Sequence, residues 1–183
     1  MSDRQSKLHE LLLQNLIALN LTQIAATYRE VLDEAARRNS SMLEVLSSLV
    51  ASEMTSRRQK ALQRRILQAK LPKLKTLAEY KFEFPKRIPK QKIVRLFDCE
   101  FIEQHQCAIL IGPTGTGKTH LMTALGYTAC ERGITVRFTR VIDMINRLTT
   151  AQINGTLELA LKAYLKPSLL LLDELGYLPI DKR

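Results

Sequence analysis

The sequence predicts an α/β fold in which a parallel sheet is covered by helices and preceded by a small all-α region. Two observations predict it. The octet GPTGTGKT at residues 112–119 matches a glycine-rich phosphate loop and lies between an apolar run and a helical pattern. Strand-like and helix-like patterns then alternate until the apolar run 168–172, which two acids follow. Such alternation is typical of a parallel sheet with helical crossovers.

The first seventy residues show a helical pattern. Leucines recur at helical spacing up to residue 19, and a second apolar stripe runs through residues 24–35. Asn39 should end the second helix, and Ser41 followed by Glu44 forms a capping box that predicts a third helix, ending before Pro72. The residues of this helix expected to face inward are Leu43, Leu46, Val50 and Leu62.

Residues 72–92 join this region to the rest of the chain. They contain three prolines, several lysines and the alternating aromatics Tyr80, Phe82 and Phe84. Proline and charge predict an extended linker, and the aromatics predict that it lies along the next domain. There the aromatics either serve as plain packing or help line the base side of a nucleotide pocket. We therefore predict a helical domain at 1–71, a linker at 72–92 and an α/β domain at 93–183.

The α/β domain is predicted from its apolar patterns. Residues 107–111 form an unbroken apolar run, as a buried parallel strand does. After the loop, Leu121, Leu125 and Ala129 mark one helix face, and Gly133 is the stop signal. The later elements are a strand at 135–139, helices at 141–148 and 156–165, and a strand at 168–172.

The loop predicts a site for a nucleoside triphosphate. Its glycines let N–H groups wrap around phosphate oxygens, Lys118 supplies a positive charge, and the Thr119 hydroxyl suits magnesium. His120 is either a nucleotide contact or an ordinary first-turn residue of the helix. It also stands where a dinucleotide motif needs its third glycine, which disfavours that class. The candidate phosphate contacts are Gly112, Pro113, Thr114, Gly115, Thr116, Gly117, Lys118 and Thr119.

Two carboxylates follow the last apolar run. Asp173 is the candidate to hold Mg²⁺ through its water shell, because that ion accepts few protein carboxylates. Glu174 is the candidate general base that polarises the attacking water. An isolated acidic pair is more often a solvated turn. The buried strand before it and the loop upstream favour a site for ATP and Mg²⁺ instead.

The net charge of +10 is unevenly distributed. Residues 1–90 carry seventeen Lys and Arg against nine acids, a net +8, whereas residues 91–183 carry eleven against nine, a net +2. No acid occurs between Met54 and Ala78. Clustered cations favour a polyanion, so we predict backbone contact to double-stranded DNA; the alternative is a solvated helix face. The candidate DNA contacts are Arg57, Arg58, Lys60, Arg64 and Arg65.

The remaining composition argues against other classes. No apolar run reaches membrane-spanning length, and the polar N-terminus lacks the apolar core of a signal peptide, which predicts a cytoplasmic protein without a membrane partner. Three cysteines without C-x-x-C spacing suggest neither a disulfide framework nor a zinc site. We expect these cysteines to be buried.

Nearly the whole chain resembles the IstB-type transposition helper ATPases of bacterial insertion sequences. The motifs that carry the resemblance are GPTGTGKTHL at 112–121, ALGYTACERG at 124–133 and LLLLDELGYLP at 169–179. The resemblance implies an AAA+ ATPase related to DnaC-type helicase loaders, which binds DNA, oligomerises on it with ATP and assists a transposase. It assigns the loop to phosphates, Asp173 and Glu174 to metal and water, and the basic helix to DNA.

The sequence departs from this family pattern in one respect. An AAA+ module continues with two more strands, a sensor residue and an arginine finger, whereas the sequence stops at Arg183. We therefore expect a truncated chain with an open sheet edge that binds ATP with weak or absent turnover. A DnaC-like helicase loader stays open as an alternative. A small-molecule P-loop kinase is a weaker one, because no arginine-rich lid follows Asp173.

Overall fold

The computed structural model describes residues 3–82 and 89–175. The chain divides into two compact units, Met1–Ala61 and Leu62–Arg183. Phe84 and Pro85 of the predicted linker, and residues 176–183, lie outside the described residues. In chain order the elements are α1 (Asp3–Ala18), α2 (Thr22–Arg38), α3 (Met42–Ala69), a 3₁₀ turn (Leu77–Glu79), α4 (Lys90–Leu96), α5 (Glu100–Glu103), α6 (Lys118–Glu131), β1 (Val136–Arg140), α7 (Val141–Ile153), α8 (Leu157–Leu165) and β2 (Leu169–Asp173).

The first unit packs α1, α2 and the first part of α3 around Leu16, Tyr28 and Leu49. The helix ends follow the sequence signals. Asn39 takes a left-handed conformation at the end of α2, with φ of 52°. The Ser41 N–H donates to Glu44 Oε2 at 2.7 Å, and the Glu44 N–H donates to Ser41 Oγ at 3.3 Å. The predicted capping box is therefore confirmed.

The inward face of α3 differs from the prediction. Leu43, Leu46 and Val50 are 74%, 60% and 55% exposed, so placing them inside was wrong. Leu62, the fourth predicted residue, is half-buried and packs against the core of the second unit. The buried stripe lies on a neighbouring face and contains Leu49 and Glu53. Because a carboxylate occupies an inward position, this stripe does not show an apolar periodicity in the sequence.

Glu53 is buried because it caps another helix. Its Oε2 accepts the Gln23 N–H at 2.8 Å and the Ile24 N–H at 3.1 Å, and its Oε1 accepts Arg57 Nε at 2.9 Å. No side chain of α2 caps its own N-terminus, so Glu53 satisfies donors that would otherwise lack partners. Burial alone would raise the pKa of Glu53. The hydrogen bonds from Arg57, Ile24 and Gln23 outweigh it and lower the pKa below its ordinary value.

The second unit is centred on α6. Leu121, Leu125 and Ala129 are buried, as predicted. A Cβ on Gly126 would lie 2.7 Å from Leu171 Cδ1, so α6 approaches β2 closely at this glycine. The core of this unit also includes Ala69 of α3, together with Tyr80. The units therefore divide ten residues before the predicted boundary at 71, because the end of α3 packs with the second unit.

The described residues form one sheet of two parallel strands. β1 pairs with β2 in a register that runs from Val136 opposite Leu169 to Arg140 opposite Asp173. Both strands begin and end one residue later than predicted. They are joined through α7 and α8, which confirms the predicted strand–helix–helix–strand order.

The apolar run 107–111 was wrongly predicted as a buried strand. It pairs with neither β1 nor β2, and Ile109 and Ile111 are 76% and 91% exposed, although Leu110 packs against the core. Apolar composition predicts burial but supplies no partner for backbone hydrogen bonds, and a strand needs both. Cys107 lies in this exposed run, contrary to expectation, whereas Cys99 and Cys130 are buried.

The lengths and compositions of the helices also bear on membrane insertion. Within residues 3–82 and 89–175, no helix combines the length and the apolar character needed to cross a bilayer.

Candidate functional site

The predicted phosphate loop is an irregular turn that leads directly into α6. Gly115 and Gly117 have φ angles of +82° and +81°, which side chains with a Cβ rarely adopt. A Cβ on Gly112 would lie 3.3 Å from Thr116 Oγ1. That hydroxyl donates to Pro113 O at 2.9 Å and so closes the turn. Gly115 and Gly117 are therefore favoured by the backbone conformation, and Gly112 by the close approach of the Thr116 side chain.

Lys118, the first residue of α6, folds back on the loop. Its Nζ donates to Gly112 O at 2.8 Å and to Pro113 O at 2.7 Å. The ammonium group therefore lies at the loop backbone, on neutral carbonyl acceptors. A phosphate is a stronger acceptor for an ammonium group because the bond is charge-assisted on both sides.

The structure brings Thr119 and Asp173 together although 54 residues separate them. The Thr119 hydroxyl donates to Asp173 Oδ2 at 3.0 Å. The other carboxylate oxygen, Oδ1, accepts the Glu174 N–H at 3.0 Å, which fixes the orientation of the group. A hydroxyl and a carboxylate beside a phosphate loop are the oxygen ligands that suit magnesium carried with a nucleotide. The residues present fit that ion.

Glu174 lies just beyond β2, is exposed and has a φ of +61°. At the end of β1, Arg140 binds Asp143 with two hydrogen bonds, at 2.8 Å and 3.1 Å. The hydrogen bond to Asp143, its charge and then the charge of Glu174 raise the pKa of Arg140. A cation thus lies at the sheet edge where Asp173 and Glu174 stand. This position of Arg140 beside the two acids was not predicted, since the sequence shows only that Arg140 follows a strand pattern.

An aromatic residue from the segment before the loop, one of those predicted either to pack on the domain or to line the nucleotide pocket, contacts the loop at Thr116. The Tyr80 hydroxyl donates to Thr116 O at 2.9 Å. His120 Nε2 lies 3.1 Å from Thr76 O, and the His120 ring meets the Tyr80 ring edge-on with centroids 5.5 Å apart. These contacts engage His120 with the segment before the loop.

The five candidate DNA-binding cations differ in their surroundings. Arg57 binds Glu53 at 2.9 Å and Asn20 O at 3.0 Å, and Lys60 Nζ binds Thr22 Oγ1 at 3.1 Å. These two side chains tie α3 to the start of α2.

The other three cations, Arg58, Arg64 and Arg65, have different surroundings on α3. Arg65 Nε donates to Cys130 O at 3.3 Å. Arg58 and Arg64 are exposed, with no hydrogen bond or ion pair to the part of the chain that the structure describes. Of the five candidate cations, Arg58 and Arg64 can therefore contact a DNA phosphate without breaking a contact within the protein.

The fold and the site together define a class. A glycine-rich loop that opens a helix, with its threonine bound to an acid at the end of a parallel strand, is the arrangement of P-loop nucleotide-binding proteins.

The chain belongs to one family within this class. Residues 14–183 match the family described as IstB-like ATP binding protein. This result confirms the family that the sequence motifs resemble and, with it, the α/β P-loop fold. The family consists of ATP-binding proteins associated with insertion sequences.

Three relatives illustrate the similarity, and each is named for ATP binding in an insertion sequence. The IS232 protein of Bacillus thuringiensis subsp. berliner is 35% identical over 94% of this chain and 69% of its own length. The IS5376 protein of Geobacillus stearothermophilus is 32% identical over 89% and 65%. The IS21 protein of Pseudomonas aeruginosa is 33% identical over 90% and 62%. This chain therefore spans 62% to 69% of the length of these relatives.

Proposed function

We propose that this protein is an ATP-binding and DNA-binding accessory factor of insertion-sequence transposition, which assembles on DNA and assists its transposase in the cytoplasm. The observation that carries the nucleotide part is the 3.0 Å hydrogen bond between Thr119 and Asp173. The insertion-sequence association of the family supports the transposition part, and favours it over a DnaC-like helicase loader.

The loop residues have separate tasks in this proposal. The amide groups of residues 112–119 receive the phosphate oxygens, and Lys118 exchanges its two carbonyl acceptors for the outer phosphates. The Thr119 hydroxyl would bind the metal, and Asp173 would hold it through its water shell. Magnesium, when bound, would neutralise phosphate charge.

Glu174 is proposed as the general base of ATP hydrolysis. Its position beside Asp173 and its exposed carboxylate suit the activation of a water molecule next to the outer phosphate. Glu174→Gln keeps the shape of the side chain and removes its basicity. The substitution should leave the affinity for ATP within about twofold and reduce whatever hydrolysis the protein performs.

The DNA contact is proposed for the exposed cations of α3. Arg58 and Arg64 carry full charges without a described partner, whereas Arg57 is paired with a buried carboxylate. Contacts to phosphate position a protein on duplex DNA without reading its sequence. Arg57, Lys60 and Arg65 then contribute mainly to the electrostatic field, since each already has an internal partner.

Sedimentation velocity tests the combined proposal. The chain is mixed with duplex DNA in four conditions, with and without magnesium and with and without a non-hydrolysable ATP analogue. We expect multi-subunit complexes on DNA only when analogue and magnesium are both present, and we expect Lys118→Ala to abolish them. Complexes that form equally without nucleotide would contradict nucleotide-dependent assembly.

A further inference from the structure

Tyr80 is buried against the phosphate loop. Its side chain is only 8% exposed although it follows a short 3₁₀ turn in a segment predicted as an extended linker. Its hydroxyl donates to Thr116 O at 2.9 Å, across 36 residues of sequence. A tyrosine hydroxyl in a buried setting needs a partner, and here the partner is a backbone group of the loop.

This hydrogen bond fixes the orientation of one peptide plane. In a trans peptide the C=O and the N–H point in opposite directions. Tyr80 holds the oxygen of the Thr116–Gly117 peptide on its own side of the loop. The Gly117 N–H of the same peptide therefore points to the other side, away from Tyr80.

The Tyr80 ring also occupies the space beside Gly117. A Cβ on Gly117 would lie 2.6 Å from Tyr80 Cε2, closer than real Cβ contacts. Gly117 is thus required both by its φ of +81° and by the ring. The ring therefore packs directly against the backbone at Gly117.

Neighbouring groups hold the ring in place. Phe82 meets it edge-on with centroids 4.9 Å apart, and His120 meets it at 5.5 Å. His120 is in turn tied to Thr76 O at 3.1 Å. Burial raises the pKa of the Tyr80 hydroxyl, so the group stays protonated and remains a donor at neutral pH.

We propose that Tyr80 is a positioning residue for nucleotide binding, which turns the Thr116–Gly117 peptide so that the Gly117 N–H faces the bound phosphates. The proposal rests on the nucleotide site proposed above. It identifies what preorganises the loop: Tyr80 belongs to the segment before the α/β domain and lies outside the phosphate-loop motif. Preorganised donors bind an anion more tightly because no ordering cost is left for the binding step.

Tyr80→Phe tests the proposal because it keeps the ring and removes only the donor. We expect its affinity for MgADP, measured by calorimetry, to fall about 3- to 10-fold, the effect of losing one hydrogen bond. The control is Tyr164→Phe, which alters another buried tyrosine of the second unit, beneath Arg137. That variant should bind within about twofold of the wild type.

An NMR signature separates positioning from general destabilisation. Labelling threonine carbonyls with ¹³C and glycine amides with ¹⁵N selects two Thr–Gly pairs, Thr114–Gly115 and Thr116–Gly117. On adding MgADP to saturation, the Gly117 amide should shift less in Tyr80→Phe than in the wild type, while the Gly115 amide should shift alike in both. Gly115 thus serves as an internal control.

The outcomes are distinct. Wild-type affinity together with an unchanged Gly117 shift in Tyr80→Phe would overturn the role of Tyr80 and leave the nucleotide site intact. Equal loss of the Gly115 and Gly117 shifts would also overturn it, because the effect would then be general. Failure of the wild type itself to bind nucleotide would overturn the site, and this inference with it.

Discussion

Thr119 and Asp173, the two residues proposed to hold the metal, come from different elements of the fold. Thr119 lies in the first turn of α6, and Asp173 is the last residue of β2. The packing of α6 on the sheet brings the hydroxyl within 3.0 Å of the carboxylate. The phosphate loop and the aspartate therefore lie next to each other only when α6 packs against β2.

Removing the Thr119 hydroxyl should weaken the binding of ATP with magnesium but not the binding of ATP without it. We expect Thr119→Ala to weaken ATP binding about tenfold in the presence of magnesium, since one charge-assisted interaction is lost. In EDTA the variant and the wild type should bind alike. Calorimetry with ATP in both buffers measures the ratio, and Thr128→Ala, further along α6, is the matched control. A loss that is equally large in EDTA would contradict a metal role for Thr119.

The residues of the site could be predicted from sequence to different degrees. Gly112, Lys118, Thr119 and Asp173 were predictable, because the motif and the strand end fix their chemistry locally. Tyr80 was not, because its partner lies 36 residues away and alternating aromatics do not indicate which one meets the loop.

Glu53 shows how one helix is completed by another. A buried carboxylate of α3 supplies the N-terminal cap that α2 lacks, and Arg57 balances its charge. Cation and anion are four residues apart on one helix, so the pair also supports α3. Basic residues predicted to contact DNA can therefore be structural where an acid lies one turn away.

The Glu53 cap should depend on pH. Because its pKa is lower in the folded state, its contribution is present above the ordinary carboxyl value and is lost as the pH falls through the folded value. Glu53→Gln should reduce the hydrogen-exchange protection of the Gln23 and Ile24 amides at pH 7, and the difference from wild type should shrink on acidification. Glu30→Gln, an exposed acid of α2, is the control. A difference from wild type that does not change with pH would contradict the role of the charge.

Gly126 sets the distance between α6 and β2. Alanine would gain about 0.5–1 kcal/mol of helix propensity. Its Cβ would, however, lie 2.7 Å from Leu171 Cδ1 and 2.9 Å from Leu71 Cδ2, and overpacking costs about 1–3 kcal/mol. We expect Gly126→Ala to lower the free energy of unfolding by about 1 kcal/mol in urea titrations. Adding Leu171→Val, which lacks the clashing atom, should cost less than the two single changes summed. Strict additivity would contradict the proposed clash.

The elements themselves were largely predictable, with one informative failure. Helices and strands after residue 117 follow their predicted patterns because local periodicity and burial agree there, although α7 continues to Ile153 beyond its predicted end at 148. Residues 107–111 do not, because strand formation depends on a neighbouring backbone that no property of the run itself can supply. The inward face of α3 was likewise hidden by Glu53, whose burial depends on α2.

The distribution of charge along the whole chain is the basis of the DNA proposal. The excess of cations lies in the first ninety residues, separate from the acids at the sheet edge. A nucleotide site and a DNA site can then operate on different parts of the chain. The distinction between paired and exposed cations of α3 refines which side chains to test.

Neutralising the exposed pair should lower the salt dependence of DNA binding. We expect Arg58→Gln with Arg64→Gln to reduce the slope of log K against log salt by about 2, roughly one per lost phosphate contact. Fluorescence anisotropy with duplex DNA over a range of salt concentrations measures it. The matched control, Arg95→Gln with Arg147→Gln, removes two exposed charges of the second unit. Equal slopes for the two double variants would contradict DNA contact by α3 and indicate that its basic side is only exposed to solvent.

Calorimetry with magnesium and ATP tests the nucleotide site most directly. The wild-type chain should bind with measurable heat, and Lys118→Ala should bind about 10- to 100-fold more weakly, because an ammonium–phosphate bond is lost. The Lys118 side chain is half-buried and bonds two loop carbonyls without contributing to the hydrophobic core, so its removal should leave the unfolding midpoint nearly unchanged. Binding of equal strength by both proteins, or no binding by the wild type, would contradict a phosphate site at residues 112–119.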